Sequence, residues 1–511
     1  MKTSVKHIAA AMALCILSGT CVTPLSAFAD EPAKPLYGDV NLDQQIDVSD
    51  AVLLARFNAE DQSAKISAEG RGNADVNRDG EVTKDDTLQI LEYIAKKRSV
   101  LGVQQPQEPV SKAVCLTDNL NADEVAGKKA DSAFIRAQLG FTANLLRETD
   151  RMESAERGEN EAPKNLMLSP LSVSLALGMA ANGAKGGTLS EMENLFGGDL
   201  TIENLNAYYA DYVKNLPSEQ GAEMHIANSI WARDNAARLI VPDAFLRTTK
   251  SYYSADFYKA PFDQSTVDDI NDWVKKNTMD MIPKLTDKIY DDEIMYLINA
   301  VAFDGAWEWP LLDEQVREGK FTLADGTEVT ADMMHDELGV YLDDGKATGF
   351  MKDYKGGKYS FAAVLPNEGT TVADYIKDMN ADSLKKLLDS ASYDTVCTTM
   401  PKFSFDYGTS LVPALQNMGM DLAFTENADL TGLNEIPGTR ISKVMHKTFI
   451  QVDEKGTKAA AVTAIDPVDE AMPEEPKHVN LNRPFLFMIV DNEHKLPVFI
   501  GYVMDPTQKP E

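Results

Sequence analysis

From residue 132 onward apolar side chains recur at helical spacing. Phe134, Leu139, Phe141 and the Leu145-Leu146 pair fall along one side of a helix predicted over 132–148. The Glu-rich stretch behind it reads as an exposed loop. Leu166-Met167-Leu168 predicts a strand, Ser169-Pro170 starts an apolar helix, and Asn182-Gly183 with Gly186-Gly187 stops it. A strand-like run over 222–231 and a helix around Ile270, Trp273 and Val274 come next. Beyond them the pattern turns to apolar runs over 297–307, 361–366 and 400–403, which read as buried strands. Helices mostly early and strands mostly late argue for an α+β fold with large antiparallel or mixed sheets, and against a barrel of alternating units. Nearer the N-terminus two short helices are predicted, over 51–58 and 87–97, the second with Ile90, Tyr93 and Ile94 at helical spacing.

Composition narrows the function more than the fold. The 511 residues leave room for two to four domains, and 44% hydrophobic with 25% charged residues is ordinary globular usage. A net charge of -31 argues against nucleic acid or an anionic membrane surface as partner, because neutralising phosphate needs clustered Lys and Arg. Lys2 and Lys6, the apolar run over 8–17 and Ala27-Phe28-Ala29 form an export signal over 1–29, so a secreted, extracellular chain is expected. No later stretch has the length of a membrane span. Cys15 and Cys21 leave with the signal, and Cys115 and Cys397 remain, which read as buried or free thiols with a disulfide between them left open. With 6 His and no HExxH, CxxC or P-loop, the metalloprotease, redox and nucleotide readings lack their residues. Ser169 and Ser172 sit in no Gly-x-Ser-x-Gly elbow, and a Ser before a helix-starting Pro reads as a cap.

One constellation is duplicated. Asp39-Val40-Asn41-Leu42-Asp43, running on to Asp50, reappears as Asp75-Val76-Asn77-Arg78-Asp79, running on to Asp86. Oxygen donors at loop positions one, three, five and twelve, with a carbonyl at seven, suit a hard cation. Asp39, Asn41, Asp43, Asp50 and the carbonyl of Gln45 would hold one Ca2+. Asp75, Asn77, Asp79, Asp86 and the carbonyl of Glu81 would hold a second. Gln44 stands where the second copy has Gly80, at a sharp turn that favours glycine. This repeat resembles a type I dockerin, an all-α module with two EF-hand-like calcium loops. The resemblance implies a cohesin partner on a cellulosome scaffoldin, contacted at loop positions ten and eleven, here Val48, Ser49, Lys84 and Asp85.

The rest of the chain resembles the serpin family through a series of stretches in order. They include residues 165–172, 227–231, 270–274, 299–307, 333–334, 401–403, 441–447, 482–485 and 497–501. The resemblance implies an α+β serpin fold with three sheets, about nine helices and an exposed reactive-centre loop. The expected layout is a signal over 1–29, dockerin over 30–98, linker over 99–128 and serpin domain over 129–511. It further implies no chemistry of the protein's own but inhibition of serine, or cysteine, proteases. The protease cuts the loop, remains attached as a covalent acyl complex, and is carried off as the severed arm inserts into the central sheet. Glu454, Gly456, Thr457, Ala459, Ala460, Ala461 and Thr463 form the hinge, with Thr457, Ala459, Ala461 and Thr463 pointing inward and small enough to slide between strands. Counted along the family pattern from Glu454, the reactive bond is Glu470-Ala471, with Ala471-Met472 second and Met472-Pro473 disfavoured by the proline. Lys458 departs from the family, and Pro467 lacks the donor a central strand needs. Two other readings stand beside this one: a non-inhibitory serpin-like binding module, and a cellulosomal glycoside hydrolase, which needs only two well-placed carboxylates.

Overall fold

The structure, a computed structural model, describes every residue except 1–34, 60, 62, 79, 98–99, 103–110, 159–160, 217, 220, 236–238, 458–474 and 511. Its contacts divide the chain into two units, Met1–Glu108 and Pro109–Glu511. In the first unit α1 (Val48–Asn58), α2 (Ala68–Ala74) and α3 (Lys84–Ile94) enclose a small core of Val40, Ala51, Leu54, Ala74, Val76 and Ile90. The apolar pattern put the first and third helices at 51 and 87. Both begin three residues earlier because capping boxes, Asp47 with Asp50 and Thr83 with Asp86, satisfy the first-turn N–H groups.

In the second unit α4 (Ser132–Glu156) runs on through the Glu-rich stretch that reads as a loop in sequence. Leu145, Thr149 and Met152 continue its buried stripe, so tertiary packing carries the helix past the charged residues. Next come β2 (Leu166–Leu168) and α5 (Pro170–Ala181), buried along its whole length. Ser169 occupies the N-cap of α5 but makes no cap hydrogen bond; its Oγ donates instead to Val498 O at 2.8 Å. Residues 111–128, a linker by sequence, carry β1 (Val114–Cys115) and join this unit: Leu116 N donates to Phe257 O and Lys128 N to Ala207 O. Nine α-helices lie among its described residues.

The remaining strands, in chain order, are β3 (Ser218–Glu219), β4 (Ala222–Arg233), β5 (Asp256–Ala260), β6 (Met295–Ala306), β7 (Val316–Thr322), β8 (Glu328–Asp343), β9 (Ala347–Asp353) and β10 (Tyr359–Pro366). After these come β11 (Ser392–Pro401), β12 (Phe403–Ser410), β13 (Lys443–Asp453), β14 (Gly456–Thr457), β15 (Lys477–Asn480), β16 (Phe485–Asp491) and β17 (Leu496–Val503). One sheet has the order β1-β5-β4-β6-β14-β13-β12, with β3 on β4. The other has the order β15-β11-β8-β9-β10-β16-β17-β2, with β7 on β8. Among the described residues the strands form two sheets and no separate third. The long β8 pairs with β7 and β11 along most of its length and with β9 at its end, which joins two sets of strands into one hydrogen-bonded sheet. Between the sheets lies the main core, rich in stacked aromatic rings such as Trp307 on Tyr354 and Phe361 on Phe487.

Candidate functional site

In the first unit each loop folds its own backbone around its acidic side chains. Asp39 Oδ1 accepts from Asp43 N at 3.1 Å and Oδ2 from Gln44 N at 3.0 Å; Asn41 Oδ1 accepts from Asp43 N at 2.8 Å, and Asp43 Oδ1 from Gln45 N at 2.9 Å. Fully buried Asp50 accepts from Val40 N at 2.8 Å, Asn41 N at 3.0 Å and Asp47 N at 3.0 Å. Its counterpart Asp86 accepts from Val76 N and Thr83 N, and burial pushes its carboxyl upward against those bonds. The turns match as well. Leu42 and Gln44 have φ of 65° and 68°, and Arg78 and Gly80 have 59° and 92°, so Gln44 adopts the left-handed turn without a glycine. No group of three or more His, Cys, Asp or Glu among the described residues is drawn together closely enough to hold a metal. Asp79 lies outside those residues, and two of each loop's donors, an amide side chain and a carbonyl, are not in that class. The donor set is all oxygen with an excess of carboxylate, which fits Ca2+. Val48, Ser49, Lys84 and Asp85 are all exposed, in the first turns of α1 and α3.

In the second unit the decisive geometry is at the end of β13. β6 and β13 pair in parallel from Tyr296↔Lys443 to Val301↔Thr448. Past that rung they part, and β14 enters between them, antiparallel to both. Gly456 lies opposite Ala306 and Asp453, and Thr457 opposite Gly305 and Val452. Gly456 has a φ of 153°, which a side chain would oppose. The turn before it is held from outside: Trp307 N donates to Lys455 O, Leu311 N to Glu454 O, and Trp307 Nε1 to Asp453 O, each at 2.9 Å. Lys402 Nζ lies 2.5 Å from Glu454 Oε2. Burial pushes the Glu454 carboxyl up, but this ammonium outweighs it and leaves the group below its usual value.

Along β13 the residues Val444, His446, Thr448, Ile450 and Val452 are buried and alternate with half-buried ones, so they face the core. Thr457, opposite Val452, faces the same way; it is 1% exposed, with its Oγ1 2.6 Å from Tyr354 Oη. Ala459, Ala460, Ala461, Thr463, Pro467 and the bond candidates Glu470, Ala471 and Met472 lie outside the described residues.

A buried polar row that sequence reasoning missed crosses the sheet below the fork. Asn228, Asn299 and His446 share one rung of β4, β6 and β13. His446 Nδ1 lies 2.8 Å from Asn299 Oδ1, Asn299 Nδ2 donates to Asn228 Oδ1 at 2.6 Å and to Ser172 Oγ, and Ser169 N donates to His446 Nε2 at 3.2 Å. With Nε2 accepting, Nδ1 carries the proton, and burial drops the imidazole to about 3. Ser169, Ser172 and His446 are therefore close without forming a nucleophile and base, because Nε2 is taken by a backbone amide and Ser169 Oγ donates to a carbonyl. The available signal was the single Asn that interrupts the apolar run Leu297-Ile298-Asn299-Ala300-Val301.

Residues 137–506 match the family described as Serpin (serine protease inhibitor), and residues 37–95 match the Dockerin type I domain. The chain is 32% identical to Iripin-2 of Ixodes ricinus over 353 residues, covering 66% of this chain and 87% of that protein. It is 30% identical to an alpha-1-antitrypsin homolog of Cyprinus carpio over 331 residues, 63% of this chain and 87% of that protein. The crystal structure of a thermophilic serpin, Tengpin, in the native state superposes with a TM-score of 0.71 at 41% identity, covering 77% of this chain and 99% of that one. For Tengpin in the latent state the TM-score is 0.64 at 40% identity, covering 74% and 99%.

Proposed function

The chain belongs to the serpin family and carries a type I dockerin domain, and from these premises we propose that it is a suicide-substrate inhibitor of serine proteases, exported and anchored to a cellulosome. A protease serine attacks the carbonyl of Glu470, the bond to Ala471 breaks, the new amine takes the proton, and the acyl ester stays on the arm ending at Glu470. The arm then continues β14 downward as a full central strand and drags the protease with it. A mechanism confined to this loop makes no use of a catalytic pair of the chain's own.

What supports the reading is the pairing of Gly456 and Thr457 with both β6 and β13. Extending that register puts Ala459 beside Phe303 and Ile450, Ala461 beside Val301 and Thr448, and Thr463 beside Asn299 and His446. All three share the inward face of Thr457, as the small-residue pattern requires. Lys458 faces outward in this register. Pro467 comes opposite Met295, the first residue of β6, and beyond Lys443, the first of β13. Its missing donor then falls at the sheet's end, where it interrupts no ladder. Thr463 separates His446 from Asn299 and offers a hydroxyl that both donates and accepts, so the polar row stays satisfied.

In the first unit Asp39, Asn41, Asp43, Asp50 and the Gln45 carbonyl would hold one Ca2+, with Asp75, Asn77, Asp79, Asp86 and the Glu81 carbonyl holding the other. A bound ion supplies the positive charge these carboxylates lack and adds folding free energy to a small core. Val48, Ser49, Lys84 and Asp85 would face the cohesin. Among the described residues no helix is long and apolar enough to cross a membrane. The test is to incubate the full chain with a panel of serine proteases and resolve the products on denaturing gels. A covalent band of summed mass, with released peptide beginning at Ala471, is expected. Cleavage without such a band, across the panel, refutes inhibition.

A further inference from the structure

A buried charge stands behind the hinge, outside the strands that the severed arm would join. Lys352, on β9, is 5% exposed. Its Nζ donates to Asp336 Oδ2 at 2.6 Å and to Trp309 O at 3.0 Å, and it lies 5.4 Å from the centroid of the Trp307 ring. Two acceptors and the face of an aromatic ring thus surround the buried ammonium. Burial draws the Lys352 pKa down, and the Asp336 carboxylate draws it partly back. An apolar side chain would fill such a site more cheaply, so an ammonium kept there calls for a job that apolar packing cannot do.

Its contact with Trp309 O supplies one. The segment from Trp307 to Leu311 grips the hinge turn through three hydrogen bonds, to Asp453 O, Glu454 O and Lys455 O. Trp307 and Leu311 are buried, but Glu308 and Trp309 between them are exposed, so the middle of the segment has little packing of its own. It is tied down by polar contacts to β9 and the turn after it: Glu308 N to Asp353 O, Gly356 N to Glu308 Oε2, and Lys352 Nζ to Trp309 O. Asp336 on β8 sets the ammonium in place.

We propose that Lys352, fixed by Asp336, is a positioning residue that clamps the 307–311 segment onto the hinge turn and so anchors the hairpin end from which the severed arm inserts. The proposal rests on the inhibitor reading above. Insertion drags a protease towards the far end of the sheet with this turn as the fixed point that takes the load, and a turn free to shift lets hydrolysis of the acyl ester overtake trapping.

The test compares wild-type chain with Lys352→Met and with the pair Lys352→Met, Asp336→Leu, which removes the carboxylate that the single change orphans. The rate of loop cleavage should be unchanged in both. Moles of inhibitor consumed per mole of protease trapped should rise at least twofold in the single variant, whose melting temperature falls. In the double variant the melting temperature should return towards wild type while the consumption ratio stays high. A wild-type ratio in Lys352→Met, or recovery of ratio and melting temperature together in the double variant, overturns the proposal. Should wild type trap no protease, the inhibitor reading fails by itself. The clamp is then judged by the rise in melting temperature on nicking the loop: a smaller rise in the double variant than in wild type supports it, and an equal rise overturns it.

Discussion

Cutting the loop between Asp466 and Pro476 should make the second unit more stable, although a backbone bond has been lost. Insertion gives up the parallel rungs from Tyr296↔Lys443 to Val301↔Thr448 and replaces them with antiparallel pairing on both sides of a new strand running from Lys458 to Asp466. The net gain is on the order of ten hydrogen bonds, or about 5–15 kcal/mol at roughly 0.5–1.5 kcal/mol each. A domain of roughly 380 residues has an unfolding entropy near 0.8 kcal/mol/K, which converts the gain to a rise of about 6–20 °C in melting temperature. Differential scanning calorimetry of intact and nicked full-length chain measures this, the two units being assigned by calcium dependence. An unchanged or lower transition for the second unit means that the intact molecule holds no reserve of free energy, and the trapping mechanism fails with it.

Thr457→Arg puts a long cation where a hydroxyl 1% exposed now meets Tyr354, so the variant should be cut as a substrate, trap no protease, and show no stabilisation on nicking. Gel shift and calorimetry read both, and unimpaired trapping would place the hinge elsewhere. His446 is held near 3 in the fold against 6.5 when unfolded. The native chain thus binds fewer protons between those values, and its stability is complete above 6.5 and lost as pH falls towards 3. The loss is about 2 kcal/mol by pH 5, and His446→Gln should remove that slope from denaturant titrations run across pH. Chelation, or Asp50→Asn, should loosen the first unit and abolish cohesin binding at micromolar calcium while leaving protease trapping unaltered. Calorimetry with calcium and a cohesin pull-down test this, and cohesin capture in excess chelator would exclude the calcium loops from the interface.

Local chemistry was the part of the fold legible in sequence. The duplicated Asp-x-Asn-x-Asp loops, the proline opening α5 and the apolar strands β6 and β10 could all be read directly. Where packing outranks propensity, the reading failed: the end of α4 looked like loop because its charges hide a stripe that Thr149 and Met152 continue. Ser169 looked like a cap because nothing local reveals that Val498, more than three hundred residues away, takes its hydroxyl. Register was likewise invisible. The family resemblance points to a hinge of small residues, but the parting of β6 and β13 after Thr448, and the polar row below it, arise from pairing between strands far apart in sequence. Lys352 gave no signal at all, being one lysine among many until its burial is seen.

Gly456 and Thr457 already occupy the slot, and under the proposed trapping mechanism that sets the order of events once the loop is severed. Starting a strand from coil is ordinarily the slow part, because several dihedrals must be fixed before the first bonds return anything. Here folding has done that work in advance. The race with deacylation therefore opens at propagation, each residue adding to an edge that exists, and its pace is set by how quickly β6 and β13 unzip ahead of the tip.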